Sequence, residues 1–481
     1  MDLFLDRSQR RTIAVQLYGQ LREAIERGRL LPGDRLPPSR QLADELGIAR
    51  HTVTTVYGRL AAEGFIDGRA GAGSVVTTTV TADLGLDGAA DLTADGAASM
   101  SATTIAAAAP TAARTIGRAS VDPPVRFDLR VGAPDPDLFP LVDWRRAVTW
   151  SLQRPPSMPP DPEGDLDLRR SITRWIGRSR SVVAGVDQLH LTAGAQQAFD
   201  LVARALLRPG DVVAVEDPGY HFARRCFEVA GARIVGIPVD DHGLVVDAIP
   251  SDARLVYTTP SHQMPLGVTM SMPRRVELLA LARRSDLVIV EDDYDSEFRH
   301  VDRPLEPLHR LDRGERVVYV GSFSKTLGPA LRLGFAVVPR ALVDPLRELR
   351  AAVGWQPPAT DQSALHRLIT DGSFDRHLRR TRRVYAERHR ELRAQLEAHP
   401  DSFTGIPTNA GLHITAWLPH GCDEAAAVAA ARDRGVAVEC LGAYRIAPGA
   451  RGALAIGFGT IASNAIADAI STLADAVEAA R

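Results

Sequence analysis

The sequence predicts a multidomain protein in which a small, mostly helical domain with a β-hairpin is followed by a linker and a large α/β domain. Three observations support this fold class. Residues 77–125 contain no aromatic residue and are dominated by alanine, threonine, glycine and serine, which cannot bury enough surface to offset the entropy of ordering. Residues 1–76 carry short helical patterns, whereas residues 126–481 alternate between β-type apolar runs and helical ones. Such alternation is typical of a mostly parallel sheet covered by helices.

The overall composition excludes several classes of protein. The net charge of -2 argues against a strongly basic protein, although a local positive face is enough for DNA binding. The three cysteines, Cys226, Cys422 and Cys440, lack metal-ligand or CxxC spacing, so we expect a reducing cytoplasm and no disulfide framework. The amino terminus has no apolar signal core, and no uninterrupted apolar run reaches about 18 residues, so the sequence predicts no membrane span.

The first domain is predicted to contain three helices and a hairpin. Apolar residues at helical spacing mark the first and third helices: Leu17, Leu21, Ala24 and Ile25, and then Val53, Val56, Tyr57 and Leu60. Gly28 ends the first helix, Ser39 can cap a short second helix, and Gly47 breaks it. The GRAGAGS segment within residues 65–76 then predicts a β-hairpin that forms a wing. A generic three-helix domain would have the same apolar stripes.

The polar face of the third helix suggests DNA recognition. It carries Arg50, His51, Thr52, Thr54, Thr55 and Arg59. Arginine reads guanine edges or binds phosphate, and threonine contacts phosphate or a thymine methyl group. The alternative for Arg50 is a solvated charge at a helix end. The charge of residues 1–76 gives weak support to DNA binding, because 11 Arg against 9 Asp plus Glu leave a balance of +2.

The stretch from LYGQLREAIERG to GRAGAGSVV, residues 17–76, resembles nearly end to end the winged helix-turn-helix of GntR-type regulators. This resemblance implies that Arg40, at the start of the second helix, contacts DNA. It implies the same role for Arg50 and Thr52 at the start of the third helix, and it places Gly71 and Gly73 in the wing tip.

Lys325 is the only lysine among the 57 basic residues of the chain, and its segment SFSKTLGP follows the apolar run of residues 317–320. A guanidinium stays protonated, whereas an ε-amine in a desolvated pocket can lose its proton and form a Schiff base with an aldehyde. A surface lysine left over from a composition biased towards arginine is the alternative. The surrounding segments favour the chemical role.

Other polar groups follow predicted strands. In LHLTAGAQQAF a strand, a glycine turn and a helix would turn the N–H groups of Gly194, Ala195 and Gln196 towards an anion. In DVVAVEDPGYHF, Tyr220 lies just beyond a strand end, where its ring either stacks on a flat cofactor or packs in the core. The hydroxyl and guanidinium groups around the lysine form a donor set for a phosphate. They belong to Ser322, Ser324 and Arg332.

The segment DLVIVEDDYDSEF carries a cluster of acidic residues directly after a buried apolar run. Glu291, Asp292, Asp293 and Asp295 are expected in the ligand crevice at the carboxyl end of the sheet. A carboxylate there can pair with a protonated ring nitrogen, and Tyr294 can donate to a phenolic oxygen. Magnesium is the competing ligand. The 33 residues between Asp292 and Lys325, with one strand between them, favour a carbonyl cofactor.

Together these groups match a pyridoxal 5'-phosphate pocket. Residues 127–481 resemble the fold-type I aminotransferases, and the order of the two domains resembles the MocR subfamily of transcriptional regulators. The segments EDPGY, TPSHQMPLG, EDDYDSEF and SFSKTLGP carry this second resemblance. It implies domains at 1–76 and 126–481 joined by the linker, Lys325 bound to pyridoxal phosphate and Asp292 on its ring nitrogen. It also implies a homodimer on an operator with repeated half-sites, responding to pyridoxal phosphate itself (vitamin B6) or to an amino compound.

Two departures from the aminotransferase pattern argue against ordinary transamination of an α-amino acid. Met264 stands where an asparagine usually helps to hold the phenolic oxygen, and His262 or Gln263 could substitute. Ala455 stands where an arginine usually binds the substrate carboxylate, which leaves Arg445 and Arg451 as candidates for an effector carboxylate. An active aminotransferase with a DNA-binding appendage is the alternative function, and a regulator with a degenerate body that binds no cofactor is a third.

Overall fold

The structure is a computed structural model that describes residues 5, 13–69, 73–77, 125–153, 161–299, 306–313, 315–354, 356–405, 408, 410–447, 449 and 451–481. The chain divides into two compact units, residues 1–105 and residues 106–481. Residues 78–124 of the predicted linker lie outside the described residues. None of the helices in the described part of the chain combines the length and the hydrophobicity needed to cross a bilayer.

The first unit contains the predicted three helices and hairpin. Its elements are α1 (Ile13–Glu26), α2 (Ser39–Leu46), α3 (Arg50–Ala62), β1 (Ile66–Arg69) and β2 (Gly73–Val76). The two strands pair antiparallel, and the apolar stripes of the three helices form one buried core. Gly47 ends α2 at a φ of 60°, a left-handed conformation that suits glycine. Ser39 is the first residue of α2 rather than its cap, because Pro38 occupies the capping position and no side chain caps the helix.

The second unit is built on an eight-stranded sheet and a smaller four-stranded sheet. Its strands are β3 (Phe127–Asp128), β4 (Leu189–Thr192), β5 (Val212–Asp217), β6 (Arg233–Asp240), β7 (Gly243–Leu244), β8 (Ala253–Thr258), β9 (Val288–Asp293), β10 (Val317–Ser322), β11 (Gly334–Val337), β12 (Thr404–Gly405), β13 (His413–Trp417), β14 (Val436–Ala437), β15 (Glu439–Cys440) and β16 (Ala453–Gly457).

The helices of this unit cover both sheets. They are α4 (Leu141–Ser151), α5 (Leu166–Arg180), α6 (Ala195–Leu206), α7 (His221–Val229), α8 (Met272–Arg284), α9 (Leu308–Asp312), α10 (Ser324–Leu327), α11 (Arg340–Val353), α12 (Ala359–Thr370), α13 (Ser373–Ala398), α14 (Glu424–Asp433) and α15 (Ile466–Ala479). Their apolar faces pack on the sheets in separate buried clusters, one of which joins the small sheet to α13, α14 and α15.

The large sheet has the strand order β4-β11-β10-β9-β8-β5-β6-β7. The five strands from β10 to β6 pair in parallel, and β11 runs antiparallel to both β10 and β4. The mostly parallel sheet predicted from the sequence is therefore confirmed. Its central strands are near-continuous apolar runs because helices bury both of their faces. The carboxyl ends of the parallel strands meet at one edge of the sheet, and that edge holds the candidate site.

Candidate functional site

A cavity of about 300 Å³ opens at the carboxyl edge of the large sheet. Its wall includes nine of the eleven residues predicted to hold a cofactor: Ala195, Gln196, Tyr220, Asp292, Tyr294, Ser322, Ser324, Lys325 and Arg332. They come from the carboxyl ends of β9 and β10, from the segments that follow β4, β5, β9 and β10, and from the turn that precedes β11. Sheet topology thus brings together residues that lie far apart in the chain. Of the other two, Gly194 lies next to Arg332 at the edge of the wall, and His262 lies behind Tyr294.

Lys325 lies in α10, directly after β10. Its Nζ donates a hydrogen bond to the carbonyl oxygen of Gly132, at 2.5 Å. Gly132 has a φ of +99°, and a Cβ there would lie 3.0 Å from the lysine nitrogen. Burial lowers the pKa of Lys325, while the carboxylates of Asp295 and Asp292 act in the opposite direction. A lowered pKa increases the fraction of unprotonated amine, which is the nucleophilic form.

Asp292 presents an unsatisfied carboxylate oxygen. Its Oδ2 accepts a hydrogen bond from the hydroxyl of Tyr257 at 2.7 Å, whereas its buried Oδ1 has no hydrogen-bond partner among the described residues. Burial raises the pKa of Asp292 to about 7, although the bond from Tyr257 opposes this shift. A buried carboxylate that lacks a partner is costly. Asp292 is therefore suited to a ligand that brings a cationic donor.

The two neighbours of Asp292 in the acidic cluster do not reach the cavity, contrary to the expectation from the sequence. Glu291 accepts hydrogen bonds from the backbone nitrogens of Leu308 and His309, both at 2.9 Å, at the start of α9. Asp293 lies 3.2 Å from the guanidinium of Arg180. Successive side chains of a strand point to opposite faces of the sheet, so only Asp292 of these three faces the cavity.

A corner suited to binding an anion lies at the start of α6. Gly194 precedes this helix with a φ of +86°, and a Cβ there would lie 3.3 Å from the guanidinium of Arg332. The Ser322 hydroxyl accepts a hydrogen bond from the Ser324 backbone nitrogen at 3.0 Å. The side-chain amide of Gln196 lies beside the hydroxyl of Tyr220. A helix amino terminus, a guanidinium and two hydroxyls together can bind a phosphate.

His262 supports the cavity from behind rather than lining it. Its Nδ1 lies 2.9 Å from the hydroxyl of Tyr294 and 2.9 Å from Asp295. Its Nε2 lies 2.9 Å from the hydroxyl of Thr408. Both ring nitrogens are therefore engaged, and His262 can act on a ligand only through Tyr294. Met264 does line the cavity.

Gln263, the other suggested substitute for the missing asparagine, is also engaged. It donates to Glu216 and to two backbone carbonyl oxygens and accepts from the backbone nitrogen of Leu266. The Tyr294 hydroxyl is left as the group best placed to meet a phenolic oxygen, since burial raises its pKa well above the usual value and keeps the proton on it.

Neither candidate for an effector carboxylate lies in this cavity. Arg445 donates to the backbone oxygen of Arg451 at 2.9 Å and lines a separate depression beside Asp217. Arg451 donates to Leu418 and lies over the ring of Trp417. The start of β16 explains why Arg451 lies outside the cavity, because the strand begins only after this residue. The side chain that β16 packs against Met264 and Tyr444 is that of Ala455.

The cavity wall also contains polar groups that were not predicted from the sequence, among them Tyr257, Glu439 and Tyr444. The hydroxyl of Tyr257, within the largely apolar strand β8, was an available signal. Glu439 and Tyr444 come from the small sheet and the turn after it, where no local pattern indicates a site. The Tyr444 hydroxyl donates a hydrogen bond to Glu439.

The first unit exposes the predicted DNA-contacting arginines. Arg40 and Arg50 are exposed at the starts of α2 and α3, and Thr52 is half-buried. Arg59, on the same helix, pairs with Glu63 at 2.9 Å and lies 3.9 Å from the centre of the Tyr18 ring. Arg50 thus presents its charge outward, while the charge of Arg59 is compensated. Gly73 begins β2, and Gly71 lies outside the described residues.

Comparisons with known proteins agree with this architecture. Residues 127–464 match the family of class I and II aminotransferases, and residues 13–76 match the gntR family of bacterial regulatory proteins. The chain is 35% identical to the probable rhizopine catabolism regulatory protein MocR of Rhizobium meliloti, over 90% of this chain and 87% of that protein. It is 32% identical to the HTH-type pyridoxine biosynthesis transcriptional regulator PdxR of Corynebacterium glutamicum, over 97% of this chain and 96% of that protein.

Among solved structures, the chain is similar to an archaeal alanine:glyoxylate aminotransferase with a TM-score of 0.69 and 28% identity, over 73% of this chain and 91% of that one. The relatives that align with nearly the whole chain are regulators, while this structural neighbour aligns with about three quarters of it. The chain therefore belongs to the MocR-type transcriptional regulators, in which a GntR-family helix-turn-helix unit precedes a unit of the aminotransferase fold.

Proposed function

We propose that this regulator binds pyridoxal 5'-phosphate in the cavity around Lys325 and that the bound cofactor, or an amino compound that reaches it, changes operator binding. The observation that carries the proposal is the unsatisfied Oδ1 of Asp292 in the same cavity as the only lysine of the chain. Unpaired buried polar groups are rare in folded proteins and call for a partner. A protonated ring nitrogen would supply one.

The other groups fit the same cofactor. The corner formed by Gly194, Ser324 and Arg332 would hold its phosphate, and Tyr294 would donate to its phenolic oxygen. The ring of Tyr220 lies in the wall of the same cavity, where it would stack on the pyridine ring. When bound, the cofactor supplies an aldehyde carbon that accepts amines reversibly.

Each residue has a separate task in this proposal. Lys325 provides the amine, and burial keeps a larger share of it unprotonated. Asp292 holds a proton on the ring nitrogen, because an ionised carboxylate stabilises the adjacent cation. His262 and Asp295 orient the Tyr294 hydroxyl through the contacts described above. These tasks require binding and orientation alone, without turnover.

The DNA-binding part of the proposal assigns operator contacts to Arg40, Arg50 and Thr52, with two wings per homodimer on repeated half-sites. Two DNA-binding units joined in one dimer would bind such a site more tightly than a single unit, because binding of the first raises the effective concentration of the second at its half-site. The signal is transmitted if the cofactor has different affinities for two arrangements of the dimer. The name of the PdxR relative supports vitamin B6 supply as the signal.

The cofactor assignment is tested by the absorbance of the purified protein and by chemical trapping. We expect a visible band that borohydride removes while it fixes the cofactor to the chain. Because Lys325 is the only lysine, peptide mapping has one side-chain amine to find. The Lys325→Arg variant keeps the charge and is the matched control, which should bind no cofactor covalently. An unlabelled Lys325 in fully loaded, reduced protein would refute the assignment.

The DNA assignment is tested with fragments that the wild-type protein selects from a random library of duplexes. Arg50→Ala should lower the affinity by about 1–3 kcal/mol with relaxed base preference if the contact is to guanine, or reduce the salt slope by about 1 if it is to phosphate. Arg59→Ala is the control on the same helix, since that side chain is already paired with Glu63. Equal effects of the two substitutions would contradict the role of Arg50.

The same preparation distinguishes the regulator from an active aminotransferase. The cofactor-loaded protein is incubated with a panel of amino donors and keto acids, and product formation is followed over many turnovers. We expect none at a useful rate, because Ala455 replaces the arginine that binds the substrate carboxylate in the aminotransferase pattern. Steady turnover would make the chain an aminotransferase with a DNA-binding unit.

A further inference from the structure

The part of the cavity wall formed by the small sheet is acidic rather than basic. Ala455 is fully buried in β16 and pairs in register with Glu439 of the neighbouring strand β15. Its methyl group packs with Met264 and Tyr444. The position from which the aminotransferase pattern would extend a guanidinium therefore carries a methyl group, and the charged side chain beside it is a carboxylate.

Glu439 faces the cavity and has spare hydrogen-bonding capacity. It is half-buried, it lines the same cavity as Lys325, and it accepts a hydrogen bond from the Tyr444 hydroxyl. A carboxylate accepts about four hydrogen bonds, so one hydroxyl leaves room for a donor from a ligand. Burial raises the pKa of Glu439, and the nearby Lys325 acts in the opposite direction, which places the two groups in the same electrostatic environment.

The remaining charges of the wall do not offer a site for a carboxylate. Among the described lining residues, the cations are Lys325 and Arg332. Arg332 belongs to the corner at the start of α6 that would hold the phosphate. His413 is kept neutral because burial lowers its pKa to about 3. Arg130 acts on Glu439 from outside the cavity, but it is paired with Asp128 through contacts of 2.9 and 2.6 Å.

We infer that the effector of this site is a primary amine with a second cationic group and no carboxylate, and that Glu439 with Tyr444 recognises that second group. A ligand carboxylate would be buried beside Glu439 without a counter-ion, which is unfavourable, whereas an ammonium would pair with it. This inference rests on the proposed function, since the amine end of the ligand meets the cofactor held by Lys325. It adds the chemical class of the ligand.

The test uses three amines with four carbons each as probes: 1,4-diaminobutane, 1-aminobutane and 4-aminobutanoate. Cofactor-loaded wild-type protein is titrated with each, and binding is followed by the visible spectrum of the cofactor and by calorimetry. We expect the diamine to bind about tenfold or more tighter than 1-aminobutane, as for a charged hydrogen bond in a partly buried site. We expect 4-aminobutanoate to bind weakest of the three.

Two variants assign the preference to Glu439. Glu439→Gln should bring the affinity for the diamine to that for 1-aminobutane, and Glu439→Arg should make 4-aminobutanoate the tightest of the three. Both should retain the visible band of the loaded cofactor, which reports a folded cavity. Glu478→Gln, an exposed residue of α15, is the control and should leave the order of the three probes unchanged.

The outcomes separate this inference from the proposed function. A wild-type protein without a visible band refutes the proposed function itself. A normal band combined with 4-aminobutanoate binding as tightly as the diamine overturns the inference and leaves the cofactor in place. A normal band with no binding of any probe overturns it as well, as does an undiminished preference for the diamine in Glu439→Gln.

Discussion

Replacing Asp292 by asparagine should change the stability of the cofactor-free protein and its affinity for the cofactor in opposite directions. Asparagine keeps an oxygen that can accept the hydrogen bond of Tyr257, and it cannot ionise. In the cofactor-free protein the variant therefore removes the cost of a buried, unpaired carboxylate. In the loaded protein it removes the charge that would stabilise a protonated ring nitrogen.

The magnitude follows from the pKa of Asp292, which burial raises from 3.8 to about 7. One pKa unit corresponds to about 1.4 kcal/mol, so the ionised carboxylate costs the folded state at most about 4 kcal/mol. Because the folded-state pKa is the higher one, this cost is absent below pH 4 and grows as the pH rises through 7. The stability advantage of the variant should follow the same course and level off above pH 7.

The assay is urea unfolding of cofactor-stripped protein between pH 4 and pH 8.5 at a fixed protein concentration. All five tryptophans lie at or beyond residue 144, so tryptophan fluorescence reports the second unit alone. Asp475→Asn, on the exposed face of α15, is the control. A difference between Asp292→Asn and wild type that does not change with pH would refute the reasoning. At pH 7.5 the variant should bind the cofactor about 10- to 100-fold more weakly.

Further substitutions test other parts of the site. Gly194→Ala should weaken binding of pyridoxal phosphate more than binding of pyridoxal, because the new Cβ strains a φ of +86° and meets Arg332. Both affinities are measured by fluorescence titration. Equal losses for the two ligands would contradict a phosphate site at the start of α6. Tyr257→Phe removes a hydrogen bond that lowers the pKa of Asp292. The midpoint of the pH profile of cofactor affinity should therefore move to higher pH. An unchanged midpoint would contradict the role of Tyr257 in setting the pKa of Asp292. Arg180→Met leaves Asp293 and Glu297 buried without their cation and should lower the free energy of unfolding by about 3–5 kcal/mol at neutral pH. The loss should be smaller in acid, where Glu297, whose pKa is raised by burial, becomes protonated. A loss in urea unfolding that is independent of pH would contradict that explanation.

Much of the cavity wall could be predicted from the sequence because the signals are local. Lys325, Asp292 and Tyr220 each follow an apolar run that forms a parallel strand. Parallel strands place their carboxyl ends at one edge, so the three residues had to converge if the strand assignments held. The apolar stripes of α1 and α3 were equally informative, since they form the core of the first unit.

The direction of individual side chains was less predictable. The run from Glu291 to Asp293 contains three acids, and the sequence does not indicate which of them faces the ligand side of the sheet. The structure resolves this through partners that come from elsewhere in the chain: α9 satisfies Glu291, and Arg180 pairs with Asp293. Likewise, the proximity of Arg445 and Arg451 to Ala455 in sequence did not imply proximity to the cavity.

Contacts of the cavity with segments outside the parallel strands could not be predicted. Gly132 accepts a hydrogen bond from Lys325 across 193 residues, and Glu439 reaches the cavity because β15 pairs with β16. Both depend on the packing of the small sheet against the end of the large one. No periodicity or motif of the chain encodes that packing locally.

The cavity groups whose burial is costly are also those that would favour a ligand. Asp292 is buried with an unpaired oxygen, and the pKa of Lys325 is lowered by burial. A ligand group of opposite polarity would offset both costs, so part of its binding free energy would come from pairing polar groups whose burial is unfavourable in its absence. A ligand that binds in this way stabilises the second unit by mass action. If two conformations of the protein differ in their affinity for the cofactor, the cofactor concentration sets which of them is populated. This is sufficient for a sensor and requires no catalytic turnover.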